Sequence, residues 1–339
     1  MAAATTSSNT KPVLVQWILD TRTWWPEATE TRLLETHASR TLALLTEAER
    51  TGVLRYYHVR DAKMAAASAL LKHYAVARLA GATWPEAAVM TRDARTKPVW
   101  RHPATGAEPV AFNVSHQAGI VALVAVAHWP GPGPVDVGVD VVCTSERRDR
   151  DLQLLLREPA HGWPHFVDMH ADVFAPGEAA YLKYQIPSPA AAAAAAATLS
   201  TPEHVADARL RAFYALWALR EAYVKLTGDA LLAAWLRELE FRAFRAPRPT
   251  PAWTVPARED GAGYSDSDDA QVINSIDIRF RGKKVDDVNI NLRSMGPDFM
   301  ICTAVRTPET KATALGWRLG PYEILALDEV LSFAESANT

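Results

Sequence analysis

Cysteine is scarce in this chain: Cys143 and Cys302 are the only two in 339 residues. Far apart and with no CxxC partner, they exclude a disulfide framework and a thiolate zinc site, and they predict a reducing compartment. Charge of one sign is also missing. The 36 Lys and Arg against 39 Asp and Glu leave a formal net charge of −3, and no long basic block occurs. Nucleic acid and membrane surfaces are therefore not expected partners, and any anionic ligand must be met by local charge. The longest apolar run, Ile120 to Ala127, falls far short of the ~20 residues of a membrane span. Met1 to Thr10 has neither the apolar core of a signal peptide nor the Arg-rich pattern of a transit peptide, so it is expected to be a disordered tail on a cytoplasmic protein.

What remains is ordinary globular composition, 49% hydrophobic and 22% charged, enough to bury a sizeable core in two lobes. Val13 to Leu19 reads as a first strand, and Thr46-Glu47-Ala48-Glu49 as a capping box. The helical pattern it opens continues through Tyr57, Met64, Leu71, Tyr74 and Leu79 and stops near Gly81. A polar turn at Arg95-Thr96-Lys97-Pro98 precedes Phe112-Asn113-Val114-Ser115-His116 and the Ile120 strand. The punctuated Pro130-Gly131-Pro132-Gly133-Pro134 then marks a lobe boundary. A strand over Val135 to Val142 opens the second half, which carries a helix around Trp217 and period-two runs at Ile276 to Phe280 and Val288 to Leu292. The division is a tail over 1–11, lobes over 12–132 and 133–333, and an Ala/Pro-rich linker insertion over 185–201. Arg258 to Asp269 reads as an exposed acidic loop. Each lobe mixes one long helix with several strands, an α/β (α+β) class.

Three polar clusters stand out. Arg60, Lys63 and Lys97 are cations, the last fixed by the proline after it, although solvated side chains on a polar face account for them equally. Asn113, Ser115 and His116 enter a buried strand, where a structural turn would also use them. Adjacent Ser115 and His116 point to opposite faces of extended backbone, so they form no Ser/His/Asp triad. Asp140 is the most conspicuous residue, since an ionised carboxylate inside Val137-Gly138-Val139-Asp140-Val141-Val142 is costly without a partner or cation. Glu221 and Lys225 share a helix face with Trp217; alone they also read as a surface ion pair worth ~0.3–0.5 kcal/mol. Asp140 and Glu221 together offer two hard oxygen ligands suited to Mg²⁺, which completes its octahedron with phosphate and water.

Phe112-Asn113-Val114-Ser115-His116, Gly138-Val139-Asp140 and Trp217-Ala218-Leu219-Arg220-Glu221-Ala222-Tyr223-Val224-Lys225 resemble, in order and spacing, the three signature motifs of Sfp-type 4′-phosphopantetheinyl transferases. Arg60-Asp61-Ala62-Lys63, Lys97-Pro98 and Phe174 to Glu178 are supporting matches, so the likeness runs from about Val13 to Leu331. Length and the alanine-rich insertion resemble the fungal type, with broad carrier specificity. The resemblance implies a pseudo-twofold monomer of two similar lobes, each with a long helix on a mainly antiparallel sheet, with coenzyme A as co-substrate in the cleft. It implies transfer of the phosphopantetheine arm to a serine of acyl or peptidyl carrier domains, with release of adenosine 3′,5′-bisphosphate. The carriers are those of polyketide, fatty-acid and nonribosomal-peptide synthases and of aminoadipate reductase.

By the same resemblance Asp140 and Glu221 hold Mg²⁺, with Mn²⁺ as an alternative, and Lys225 stabilises the phosphates. Glu221 is the candidate general base, directly or through a metal-bound water. Ser115 and His116 contact coenzyme A phosphates, and Arg60, Lys63 and Lys97 grip the 3′-phosphate. Val142 stands where many bacterial members have a second acid, and Arg220 where the family often has Lys. Arg237, Arg242, Arg245 and Arg248 are candidates for a basic rim facing an acidic carrier, with plain solvation as the other reading. The competing functions are a pyrophosphate hydrolase acting on coenzyme A or a dinucleotide, and a non-catalytic carrier-binding scaffold.

Overall fold

The computed structural model describes residues 11–130, 134–157, 162–186, 201–229, 233–251, 271–307 and 317–338. The expected tail over 1–10, the 190–197 alanine tract and the 258–269 loop lie outside the described residues. In chain order the elements are β1 (Val13–Asp20), α1 (Glu47–Leu54), α2 (Val59–Ala80), β2 (Val110–Gln117), β3 (Ile120–Ala127) and β4 (Asp136–Cys143). Then come α3 (Arg148–Arg157), α4 (Gly162–Asp168), α5 (Pro176–Gln185), α6 (Pro202–Thr227) and β5 (Leu239–Arg242). The chain closes with β6 (Val272–Ile273), β7 (Asp277–Phe280), β8 (Asn289–Met295), β9 (Phe299–Arg306), β10 (Glu323–Ile324) and α7 (Leu327–Ser336).

The first sheet has the order β10-β1-β3-β2 and the second β4-β9-β8-β6. Apart from the parallel pairing of β10 with β1, their ladders are antiparallel. Every residue of β3 is buried, because side chains alternate and both faces are covered. Val121, Leu123, Ala125 and Ala127 enter the core beneath α2. Ile120, Ala122, Val124 and Val126 face the second sheet, in a core shared with Val137, Val139 and Val141 of β4 and Ile301 and Val305 of β9. The opposite face of the second sheet carries Val142, Cys302 and Ala304 and packs on α6. Two lobes, each a long helix on a mainly antiparallel sheet, are present as expected, and they meet sheet to sheet through this shared core.

Local signals work as their chemistry requires. Thr46 and Glu49 form the capping box of α1, and Gly81 ends α2 with a left-handed φ of 67°. One part of the expected division differs. The end of the chain, read with the second lobe as far as 333, returns to the first: Glu323 and Ile324 pair with Trp17 and Ile18, and Val330, Leu331 and Ala334 of α7 join the core around α2. A two-residue strand carries no period that sequence could reveal. Among the described residues no helix is long and apolar enough to cross a membrane.

Candidate active site

The site begins at Gly138. A Cβ there would stand 2.1 Å from the Ala222 carbonyl oxygen and 2.6 Å from the Leu226 nitrogen, so only glycine lets α6 lie this close to β4. That approach sets Glu221 and Lys225 above Asp140, two residues on from the glycine and on the same face. Asp140 is 5% exposed. Its Oδ1 accepts from Lys225 Nζ at 2.6 Å and from Ser115 Oγ at 2.9 Å. Lys225 Nζ also donates to Ser115 Oγ at 2.9 Å. Strand β2 of one lobe and β4 and α6 of the other therefore converge on one carboxylate.

Glu221 lies one helical turn before Lys225 and lines the same cavity. Burial, and then the charge of Asp140, push its carboxyl up to about 7, against the pull of Lys225. No cluster of three His, Cys, Asp or Glu exists among the described residues, and Val142 is a buried core side chain where a further carboxylate would sit. Two repelling carboxylates with one ammonium are nonetheless a donor set that a hard divalent cation fits, provided phosphate and water supply the remaining ligands.

The Glu221 shift has a consequence for stability. The unfolded chain releases this proton near the ordinary value of 4.5, whereas the folded protein keeps it until about 7. The stabilisation is therefore complete below about pH 4.5 and is lost as pH rises towards about 7. Melting temperature in the presence of a chelator is expected to fall across that interval, and Glu221→Gln to flatten this part of the profile. Thermal melts at fixed ionic strength check it; an unchanged slope in the variant contradicts it.

The cavity has a volume of about 890 Å³. Ser115, His116, Asp140, Glu221 and Lys225 form its polar end, and Phe166, Met169, Phe213 and Trp217 an apolar wall. His116 is exposed at the rim; desolvation by the surrounding protein and then the Lys225 charge lower its pKa, which an anionic ligand would reverse. Arg147, Arg150 and Arg157 add cationic lining from the α3 side, anchored where Tyr214 of α6 donates to Asp151 at 2.6 Å. These arginines were not singled out in the sequence, although the run Glu146-Arg147-Arg148-Asp149-Arg150-Asp151, continued by Arg157, is a readable signal.

The other expected cations lie elsewhere. Arg60 is exposed and does not line the cavity; it sits 3.7 Å from Glu146, which in turn accepts from the cavity-lining Gln117. Lys63 does not line it: its Nζ donates to the carbonyls of Trp24 and Trp25. Nor does Lys97, whose Nζ donates to Val137 O at 3.3 Å and lies 3.5 Å from Leu226 O, while Arg95 donates to Thr227 O. These two cations satisfy the exposed carbonyls at the C-terminus of α6, where the helix dipole also favours positive charge. Lys97 lines a second cavity, of about 610 Å³, beside Asp136 and Arg306. Arg220 points away from Glu221 into the core, donating to Glu178 at 2.7 Å and to the carbonyls of Leu239 and Leu236. Arg237, Arg242, Arg245 and Arg248 are all exposed and outside the cavity lining.

Comparison with known proteins gives this geometry its setting. Residues 23–128 match the family model described as 4′-phosphopantetheinyl transferase, N-terminal, and residues 136–268 the 4′-phosphopantetheinyl transferase superfamily. 4′-Phosphopantetheinyl transferase 1 of Fusarium mangiferae is 45% identical over 98% of both chains. 4′-Phosphopantetheinyl transferase NpgA of Emericella nidulans is 32% identical over 90% of this chain and 86% of its own. The L-aminoadipate-semialdehyde dehydrogenase-phosphopantetheinyl transferase of Schizosaccharomyces pombe is 26% identical over 65% of this chain and 70% of its own. On these matches over most of its length, this chain is an enzyme of the 4′-phosphopantetheinyl transferase family.

Proposed function

We propose that the cavity holds the pyrophosphate of coenzyme A at Asp140, Glu221 and Lys225 while the serine of a carrier domain enters from the open side. The observation that carries this is the meeting of Asp140, Ser115 and Lys225 within 3 Å in a cavity that Glu221 also lines. In the reaction a bond forms between the serine oxygen and the phosphorus of the pantetheine arm, and the pyrophosphate bond to that phosphorus breaks. Adenosine 3′,5′-bisphosphate departs. Glu221, which lines the cavity beside Asp140 and Lys225, takes the hydroxyl proton. Lys225 and His116 neutralise the phosphates, and the apolar wall guides the arm. Asp140 and Glu221 would hold Mg²⁺, or Mn²⁺ in its place, which when bound would supply charge neutralisation to the pyrophosphate and to the 5′-phosphate that leaves with adenosine 3′,5′-bisphosphate.

Arg60, beside the cavity through Glu146, is the remaining candidate for the 3′-phosphate, and Lys63 and Lys97 would serve only by leaving their present carbonyl partners. Arg147, Arg150 and Arg157 supply the basic rim an acidic carrier needs. The partners are coenzyme A and carrier domains of several synthases and of aminoadipate reductase; the Schizosaccharomyces relative carries L-aminoadipate-semialdehyde dehydrogenase in its name. A monomer is a sufficient working unit, since one chain supplies Ser115 from the first lobe and Asp140, Glu221 and Lys225 from the second. Two buried free thiols, Cys143 and Cys302, suit the cytoplasm.

Glu221→Gln tests the proton acceptor. Transfer to an apo carrier at saturating Mg²⁺ is expected to fall at least ~10²-fold, the usual worth of a positioned base. A variant that binds Mg²⁺ and keeps near-full activity removes Glu221 from that role.

A further inference from the structure

We infer that Asn113, with Gln117, is a positioning residue for the transfer: the two hold the lobes in the register that brings Ser115 to Asp140. Strands β2 and β4 are edge strands of different sheets and lie side by side, yet no backbone ladder joins them. Side chains make the junction instead. Asn113 Oδ1 accepts from Val139 N at 2.9 Å, Ser115 Oγ from Val141 N at 3.4 Å, and Gln117 Oε1 from Cys143 N at 3.0 Å. Three polar residues at period two on one edge thus satisfy every second N–H of the other.

The middle rung also belongs to the site, because Ser115 Oγ donates to Asp140 and accepts from Lys225. It is the longest of the three, so it does not fix the register by itself. The outer rungs are shorter. Asn113 is 8% exposed, and Gln117 is tied down at its other end, where Nε2 donates to Glu146 at 2.8 Å. A slip of the lobes by one residue, ~3.3 Å along the strand, would carry Ser115 away from Asp140 and leave Val139, Val141 and Cys143 N–H without the acceptors that now face them. Polar residues at 113, 115 and 117 are therefore one device, with Ser115 as the rung that faces the reacting phosphates.

The inference rests on Asp140 being at the reacting centre, and the experiment separates the two. Transfer kinetics are measured for Asn113→Leu, which keeps the size and removes the acceptor, in the parent and in a Ser115→Ala background. The expected result is at least a ~30-fold loss of kcat/KM in the parent and under threefold in the Ser115→Ala background, since residues acting through one contact are not additive. Asn113→Asp, which retains the acceptor, is expected to recover most of the loss. Equal losses in both backgrounds, or a parent loss under twofold, overturn the inference. If Asn113→Leu does not fold, Gln117→Met at the more exposed end decides in the same cycle, with about a tenfold parent loss expected and an additive loss overturning it. Asp140→Ala accompanies every series. If it stays active, the assignment of the site fails; if it is inactive while Asn113→Leu matches the parent, only the register role fails.

Discussion

Asp140→Ala is expected to lower transfer at least ~10³-fold, equivalent to about 4 kcal/mol of transition-state stabilisation, while the protein stays folded. The size of the effect follows from how much converges on this side chain. It is the acceptor for both Lys225 and Ser115, and it is one of the two carboxylates able to hold a divalent cation in the cavity. The fold is expected to survive because the loss has two opposed parts. Lys225 loses its partner, but its side chain is 27% exposed and can turn to solvent. Glu221 loses the neighbouring charge that helps push its carboxyl up, which relieves strain in the empty site. Rates on an apo carrier beside thermal melts check both halves. Near-parental transfer would place the reaction elsewhere, and a collapsed melt would make Asp140 a structural residue first.

Arg220→Ala is expected to cost about 3–5 kcal/mol, enough to unfold much of the protein at physiological temperature. Arg220 and Glu178 are buried at 2% and 0% side-chain exposure. Glu178 accepts not only from the guanidinium but from the backbone N–H of Ala175 and of Phe241, each at 2.8 Å. Removing the arginine strands a buried carboxylate and the carbonyls of Leu236 and Leu239, which joins α5, α6 and β5 no longer. Arg220→Lys keeps the charge but not the fork that reaches a carboxylate and two carbonyls at once, so an intermediate loss is expected. Urea unfolding of both variants is the check. A midpoint unchanged in Arg220→Ala would mean that the pair is dispensable to the fold.

The parts of the site that sequence made legible are those dictated by local periodicity. Asp140 in a run of valines demands a partner on physical grounds, and Lys225 on α6, packed against Gly138, provides it; Glu221 with Lys225 one turn apart reads equally as a surface pair until that packing sets it over Asp140. The strand over Ile120–Ala127 and the capping box at Thr46 were legible for the same reason. What stayed hidden depends on tertiary direction. A lysine carries no mark of where its Nζ will point; Lys63 is turned by the Trp24 and Trp25 carbonyls, and Lys97 is drawn to Val137 O and the end of α6. Arg220 adjoins Glu221 in sequence, yet one residue is a 100° step round the helix and turns it from the cavity into the core. The return of β10 and α7 to the first lobe is a matter of topology, which two paired residues cannot announce.

In the proposed reaction this cavity moves the phosphopantetheine arm from coenzyme A to a carrier serine with the help of a divalent cation. Intact mass of a purified apo carrier domain after incubation with the protein, coenzyme A and Mg²⁺ tests it most directly, beside arms with chelator and with Asp140→Ala. A gain of one phosphopantetheine arm, lost in both control arms, is the predicted result. Consumption of coenzyme A with the carrier mass unchanged would contradict it and show that water, not serine, is the acceptor.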